Sequence, residues 1–272
     1  MRDLIVDFWR KKEIKTAAEL EAVLENVIIG FSYNSGKIEN DRISYYDTRE
    51  IFQNDRISNY TGDLRTLFEI RNAKDAYQVM LDAFEKKREL DLELIKQFQY
   101  ELTKNTYDQR RWDIGERPGE LKKHDYVVGK EEVGSSPEEA ETDLKTLLDE
   151  LKYVPEKELI TAAAYFHAVF EQIHPFADGN GRTGRLAMNY YLVCNDHPPI
   201  VIHEEDRKEY YSALESWDKD EDLIQMVEFL GEQLEKTWMK SIEREKRFNN
   251  KIETAEKNEK TERLKKKLER ER

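Results

Sequence analysis

The chain has 272 residues, room for one large domain or two small ones around a core of ordinary size. Charged residues make up 38% of it, well above the ~25% of an ordinary globular domain, so part of the chain is solvated surface or tail. The net charge is −13, and Met239 to Arg272 holds 13 Lys/Arg against 8 Asp/Glu, which leaves −18 for the rest. So acidic a body repels a nucleic-acid backbone, no nucleic-acid partner is expected, and any anionic ligand needs a local cationic site.

In chain order, "MRDLIVDFWRKKEIK" lacks the apolar run of a signal peptide, and no segment is long and apolar enough to span a bilayer. A soluble cytoplasmic protein with no membrane partner is expected. The lone Cys194 cannot form an internal disulfide, and the "NYT" sequon at Asn59 is chance without a secretion signal. Helical spacing of apolar residues marks "TAAELEAVLENVIIGF", "AKDAYQVMLDAFEKK", "DLELIKQFQYELTK", "LITAAAYFHAVFEQI" and "LIQMVEFLGEQLEKTW". The fold class is therefore all-α, mainly a helical bundle. The exception runs from Asp108 to Pro137, where glycine, proline and short β-prone pieces suggest a small β-hairpin with "DYVVG" as one strand. "SSPEEAETDLKTLL" restarts a helix, with Ser136 as N-cap and Pro137 in the first turn. From about Met239 the apolar density collapses. Ile242, Ile252, Leu264 and Leu268 are too sparse for a heptad seam, so a solvated helix or disordered tail is expected rather than an interaction arm.

The chemistry concentrates in "HPFADGNGR", His174 to Arg182, between the helix ending "FEQI" and the resumed helical run "TGRLAMNYYLVC". Two glycines around an asparagine are costly to order, so the turn needs their backbone freedom. The start of the second helix presents unpaired N–H groups and a partial positive charge, a ready anion site. Arg182 and Arg185 lie one turn apart there, suited to converge on the same anion. Without a ligand, a cationic pair at a helix N-terminus opposes the dipole. Asp178 adds a carboxylate that suits Mg²⁺ shared with phosphate oxygens, and Asn180 can orient the loop or donate to a phosphate. His174 titrates near working pH and suits a general base. A lone histidine or a DGNG turn alone means little, but these groups together in twelve residues favour function. A P-loop is excluded because Gly181 is followed by Arg182 and Thr183, and an EF-hand because Phe176 and Ala187 stand where acids are needed.

The run from His174 to Arg185 resembles the HxFx(D/E)GNGRxxR signature of the Fic (filamentation induced by cAMP) family at every defined position. The likeness extends from "EIRNAKDAY" upstream through "RLAMNYYL", "PPIVI" and "YYSALE" downstream, roughly Ser32 to Leu234. It implies the α-helical Fic fold with a short β-hairpin flap, and transfer of a nucleotidyl group, most often AMP from ATP, to a Ser, Thr or Tyr hydroxyl of a protein target. By resemblance, His174 is the base and Asp178 holds the metal, with ATP as substrate and Mg²⁺ as cofactor. Gly179, Asn180 and Gly181 form the phosphate nest, continued by Thr183 and Gly184. Arg182 and Arg185 clamp the distal phosphates, and Phe176 anchors the loop. Tyr210 and Tyr211 match a tyrosine pair near the nucleotide base, although exposed helical tyrosines are the simpler account. Asp218 stands where some relatives carry asparagine. Tyr126 with Val127, Val128 and Gly129 matches the flap strand, which aligns a target by strand addition. Glycine at Gly181, rather than lysine, resembles the nucleotidyl transferases and not the Doc-like kinase variant.

A second match, Ser35 to Asn40 in "YNSGKIEN", resembles the [S/T]xxxE[G/N] inhibitory helix of some Fic proteins, with Ser35, Glu39 and Asn40 at its defined positions. At i, i+4 Ser35 and Glu39 share a helix face, so the hydroxyl can steady the carboxylate. The resemblance divides the chain into an N-terminal helical segment with the inhibitory motif (1–60), a Fic core (61–235) and a charged helical or disordered tail (236–272). The leading expectation is an auto-inhibited protein adenylyltransferase that also modifies itself. Removal of AMP from modified protein, transfer of another nucleotide, and a non-enzymatic nucleotide-binding interaction module stay open, as does a homo-oligomer. The tail lacks the apolar pattern of the winged-helix DNA-binding domain that many relatives carry.

Overall fold

A computed structural model of the chain describes residues 1–58, 60–126 and 134–270. Helices α1 (Arg2–Arg10), α2 (Ala17–Glu39), α3 (Tyr45–Asn54), α4 (Leu64–Glu85), α5 (Leu92–Thr103) and the short α6 (Gln109–Asp113) form the first part. Then follow α7 (Ala140–Glu150), α8 (Leu159–Ile173), α9 (Asn180–Cys194), α10 (Arg207–Asp220) and α11 (Ile224–Arg270). No strand occurs among the described residues. The expected hairpin falls largely on 127–133, outside the described residues, so Val127, Val128 and Gly129 have no structural account; Asp125 and Tyr126 carry no regular structure.

Several helices begin where a side chain can accept the amide of the third helical residue. Thr16 and Glu19 form a reciprocal capping box at α2, and Ser44, Asp63, Asp91 and Asp108 cap α3 to α6. The Thr66 amide, with Arg42 beside it, holds the Asp63 carboxyl down to about 2. Two expected starts shift. Helix α7 begins at Ala140 rather than after Ser136, because the Ser136 hydroxyl engages the Glu139 side chain at 2.8 Å while its carbonyl takes the amides of Glu139 and Ala140 in a turn. Helix α9 starts at Asn180, with Gly179 as its N-cap and Gly181 in its first turn.

The core centres on α8 and α9. Every α9 residue from Arg182 to Val193 is buried, as expected for a helix packed on all sides by α2, α4, α5 and α8. Helices α7, α10 and α11 cover the other side of α8. The C-terminal end of α2 meets the N-terminal turns of α9, which places the inhibitory match beside the glycine turn. A smaller cluster of Ile43, Ile51 and Ile70 ties α3 and α4 to that end of α2. Helix α1 closes the molecule against α11: Trp9 meets Trp238 edge to face at 5.5 Å, and the Trp238 indole N–H donates to the Pro199 carbonyl at 2.8 Å. The apolar face of α11 stays in the core as far as Ile242.

Both tryptophans are fully buried, so Trp238→Ala should leave a cavity and an orphaned Pro199 carbonyl. The expected loss is about 3–5 kcal/mol in urea unfolding at constant m-value. A loss under ~1 kcal/mol would mean that α1 and α11 are not part of the cooperative core.

Candidate active site

The turn after α8 is held by its own side chains. His174 caps α8 in the left-handed conformation, φ 50 and ψ 59, which a residue with a Cβ adopts only when its surroundings impose it. Phe176 is fully buried against Phe170, and the Asn180 amide closes the turn by accepting from the Phe176 N–H at 2.9 Å and donating to the Phe176 carbonyl at 2.7 Å. Both polar atoms of the Asn180 side chain thus engage the loop's own backbone. Gly179, at φ 82, is the N-cap of α9, and a Cβ there would lie 2.5 Å from the Thr103 methyl. Gln99 steadies the same corner by donating to the Asp178 carbonyl at 2.8 Å. The first-turn amides of α9 thus stand at a rigid, glycine-lined helix start.

The two arginines expected to converge on one anion diverge here. Arg185, 1% exposed, donates to the Ser35 hydroxyl (3.0 Å), the Ser35 carbonyl (2.9 Å), Glu39 Oε1 (2.7 Å) and the Tyr210 hydroxyl (3.2 Å). Arg182 turns to Asp178 at 3.3 Å and lies 3.8 Å from the buried Glu69. The Ser35 hydroxyl accepts from Arg185 rather than bracing Glu39, because the guanidinium fits between them. Asn40 donates to Glu69 at 2.6 Å and to Thr66 at 3.0 Å, so the inhibitory match reaches both arginines.

Of the remaining expected residues, Tyr210 is buried behind Arg185 and hydrogen-bonded to His167 at 2.8 Å, while Tyr211 is half exposed. Thr183 is buried and gives its amide to the Gly179 carbonyl. Gly184 faces α8, where a Cβ would crowd Phe170 and Glu171. Sequence reading missed Arg65 and Arg111, whose guanidinium groups lie 3.0 Å and 3.7 Å from Asp178, and Glu69, which joins Arg65 at 3.0 Å. Along the chain Arg65 and Glu69 read as an ordinary i, i+4 helix pair, and nothing local links them to a loop more than a hundred residues away.

The His174 residue is half-buried, and its Nδ1 is shielded from solvent with no side-chain hydrogen-bond partner among the described residues. Burial, then the nearby Lys122 charge, pushes its pKa down to about 4, against the pull of Glu39 and Asp178. The neutral ring can accept a proton at ordinary pH. Burial also pushes the Glu171 carboxyl up to about 8. No group of three potential metal-ligating side chains gathers among the described residues. Asp178, with its three arginines, therefore fits Mg²⁺ only as a single carboxylate completed by phosphate oxygens, a usual mode for this ion.

Residues 89–192 match the Fic/DOC family model. A probable protein adenylyltransferase of Aquifex aeolicus (strain VF5) is 30% identical over 181 residues, 65% of this chain and 53% of that protein. Protein adenylyltransferase Fic of Drosophila persimilis is 41% identical over 78 residues, 29% of this chain and 15% of that one. The chain thus spans between 15% and 53% of the length of these relatives. Among solved structures, Fic-1 of C. elegans matches with a TM-score of 0.73 at 22% identity, over 90% of this chain and 71% of the other. A Fic domain containing signaling protein of Bacteroides thetaiotaomicron VPI-5482 matches with a TM-score of 0.72 at 22% identity, over 86% and 92%. The helical architecture is the one these proteins share. Residues 89–192 thus match the Fic/DOC model within a chain whose fold is that of these structures.

The turn geometry makes a test independent of activity. Gly179→Ala must adopt a positive φ and displace the Thr103 methyl, which predicts a loss of about 1–3 kcal/mol in thermal or urea unfolding. Adding Thr103→Ser should recover part of it; no recovery would mean that the clash plays no part.

Proposed function

We propose that the chain transfers AMP from ATP to a Ser, Thr or Tyr hydroxyl of a protein, itself included, and that the end of α2 holds it in an inhibited state. The observation that carries the reading is the buried Arg185, joined to Glu39 and Ser35 at the head of the glycine turn and near a neutral histidine. In the reaction the target oxygen bonds to the α-phosphorus, the bond to the β-phosphate oxygen breaks, pyrophosphate leaves, and His174 takes the hydroxyl proton. The first-turn amides of α9 cradle the phosphates, and Arg182 with a freed Arg185 neutralises them. Bound Mg²⁺ supplies charge stabilisation at the phosphate oxygens, with Asp178 as its protein ligand.

Glu39 supports the inhibitory reading because it occupies the guanidinium that the distal phosphate needs for in-line attack. It also sits against Gly181, where a Cβ would collide with its Oε1. A carboxylate at that place can align a water, which supports AMP removal as a second activity of the same site. Incubation with labelled ATP separates these readings from an interaction module, since only a transferase becomes labelled or labels a target.

Glu39→Gly is expected to raise self-modification and target labelling at least tenfold, equivalent to ~1.4 kcal/mol of barrier. Ser35→Ala should raise it less, because it removes one of Arg185's acceptors and leaves the carboxylate. Adding His174→Ala to Glu39→Gly should lower the rate by roughly 10²–10⁴ while ATP affinity stays within a few-fold. An unchanged rate in Glu39→Gly, with ATP still bound, would refute the inhibitory reading.

Asp178→Ala, in the same activated background, should weaken the Mg²⁺ dependence together with the rate. A Mg²⁺ titration of activity checks this, and a metal curve identical to the parent's counts against Asp178 as ligand.

A further inference from the structure

Lys122 lies in the loop after α6 and is only 2% exposed. Its backbone amide donates to the Pro175 carbonyl at 2.9 Å, and its ammonium donates to the Ile173 carbonyl at 3.4 Å. His174 stands between those two residues, in its left-handed conformation. The Ile173 carbonyl also takes the Ser135 N–H at 3.1 Å, and a Cβ on Gly134 would sit 3.0 Å from that of His174. A strained backbone of this kind persists only where its surroundings over-determine it. Among the described residues no side chain hydrogen-bonds His174 Nδ1; the backbone of Glu171 faces the ring, and the contacts at Ile173 and Pro175 hold the backbone that carries it.

The ammonium has a second effect. A buried cation near an imidazole disfavours protonation of the ring, in the same direction as burial itself. The groups facing His174 are Lys122 from this loop, Glu39 from α2, Asp178 from the glycine turn and the Glu171 backbone from α8, and all but Lys122 favour the protonated ring. Burial lowers the pKa of Lys122 itself, while Asp125 and the fully buried Glu116 support its charge. Glu116 is fixed in turn by the Lys123 amide, the His124 ring and the Tyr126 hydroxyl.

We propose that Lys122 is a positioning residue for His174: its amide and its ammonium clamp the backbone on both sides of the base, which brings the ammonium close to the imidazole. The inference rests on the reading of His174 as the base. It is separable from that reading because the titration of His174 can be followed without turnover.

The test uses the full chain. The His174 imidazole is titrated by NMR, assigned by comparison with His174→Ala, in the parent and in Lys122→Gln, Lys122→Met and Lys122→Arg. Glutamine keeps a donor for the Ile173 carbonyl without the charge, methionine keeps only the apolar stem, and arginine keeps both charge and donors. The His174 midpoint should rise in the glutamine and methionine variants and stay near the parent's in the arginine variant. In the Glu39→Gly background, Lys122→Met should lower the transfer rate about tenfold and Lys122→Gln less, with the acid limb of the rate profile moved to higher pH and ATP affinity within about twofold. If the midpoint in a folded neutral variant equals the parent's, the proposal is overturned whatever the activity. Loss of rate, ATP binding and melting temperature together, with the midpoint unmoved, also overturns it in favour of a packing role. If Glu39→Gly shows no transfer while the midpoint shifts as expected, the clamp and its charge stand and the assignment of His174 as base fails.

Discussion

A guanidinium with almost no access to water governs this molecule. Arg185 sits on a helix packed on every side, and removing such a group from solvent costs several kcal/mol unless its donors are satisfied. Here the acceptors are the Ser35 hydroxyl and carbonyl, the Glu39 carboxylate and the Tyr210 hydroxyl. Three of the four come from the last turns of α2, so the requirement of one buried charge fixes where the first long helix ends against the core. The same contact occupies the arginine at the start of the glycine-lined helix. The fold and the candidate site therefore share one interaction.

The neighbouring charges extend that arrangement. Asn40 passes from the end of α2 to Glu69, Glu69 pairs with Arg65 and approaches Arg182, and both arginines pair with Asp178. A displacement of α2 thus has two routes into the glycine turn, through Arg185 directly and through Glu69 to Arg182. Most of these side chains have limited access to water, where electrostatic pairing is less screened than on the surface. On the other side of the turn the surroundings of His174 are mainly covalent and steric: a left-handed backbone, a fully buried Phe176, and the Lys122 and Ser135 donors on the Ile173 carbonyl.

Much of this was legible in the sequence because it is local. The run from Leu159 to Ile173 forms the helix that its apolar spacing predicts, and the glycines around Asn180 mark the start of α9 because only a flexible backbone allows φ 82 beside the Thr103 methyl. The loop role of Asn180, the anchoring of Phe176 and the pairing of Arg185 with the Ser35 to Asn40 segment could be expected from motif and charge. The partners of Arg182 could not, nor could the place of Lys122. Arg65 and Glu69 are an ordinary i, i+4 pair until α4 packs beside the turn, and nothing in the region expected to hold a small hairpin singles out Lys122 until the packed chain encloses it. The expectation that Ser35 supports Glu39 failed for the same reason. Helical spacing put the two on one face but could not say that a guanidinium would fill the gap.

The sequence by itself determined the helices, the glycine turn and the chemical types gathered around it, since periodicity, capping and backbone permissiveness act over a few residues. Only the tertiary structure decided which charge meets which. Burial makes every unpaired donor expensive, and the pairing is settled by whichever acceptors the packed helices bring within about 3 Å. That is why Arg182 turns to Asp178 and towards Glu69, and why burial and a lysine from a loop that the motif does not include both bear on the ionisation of His174.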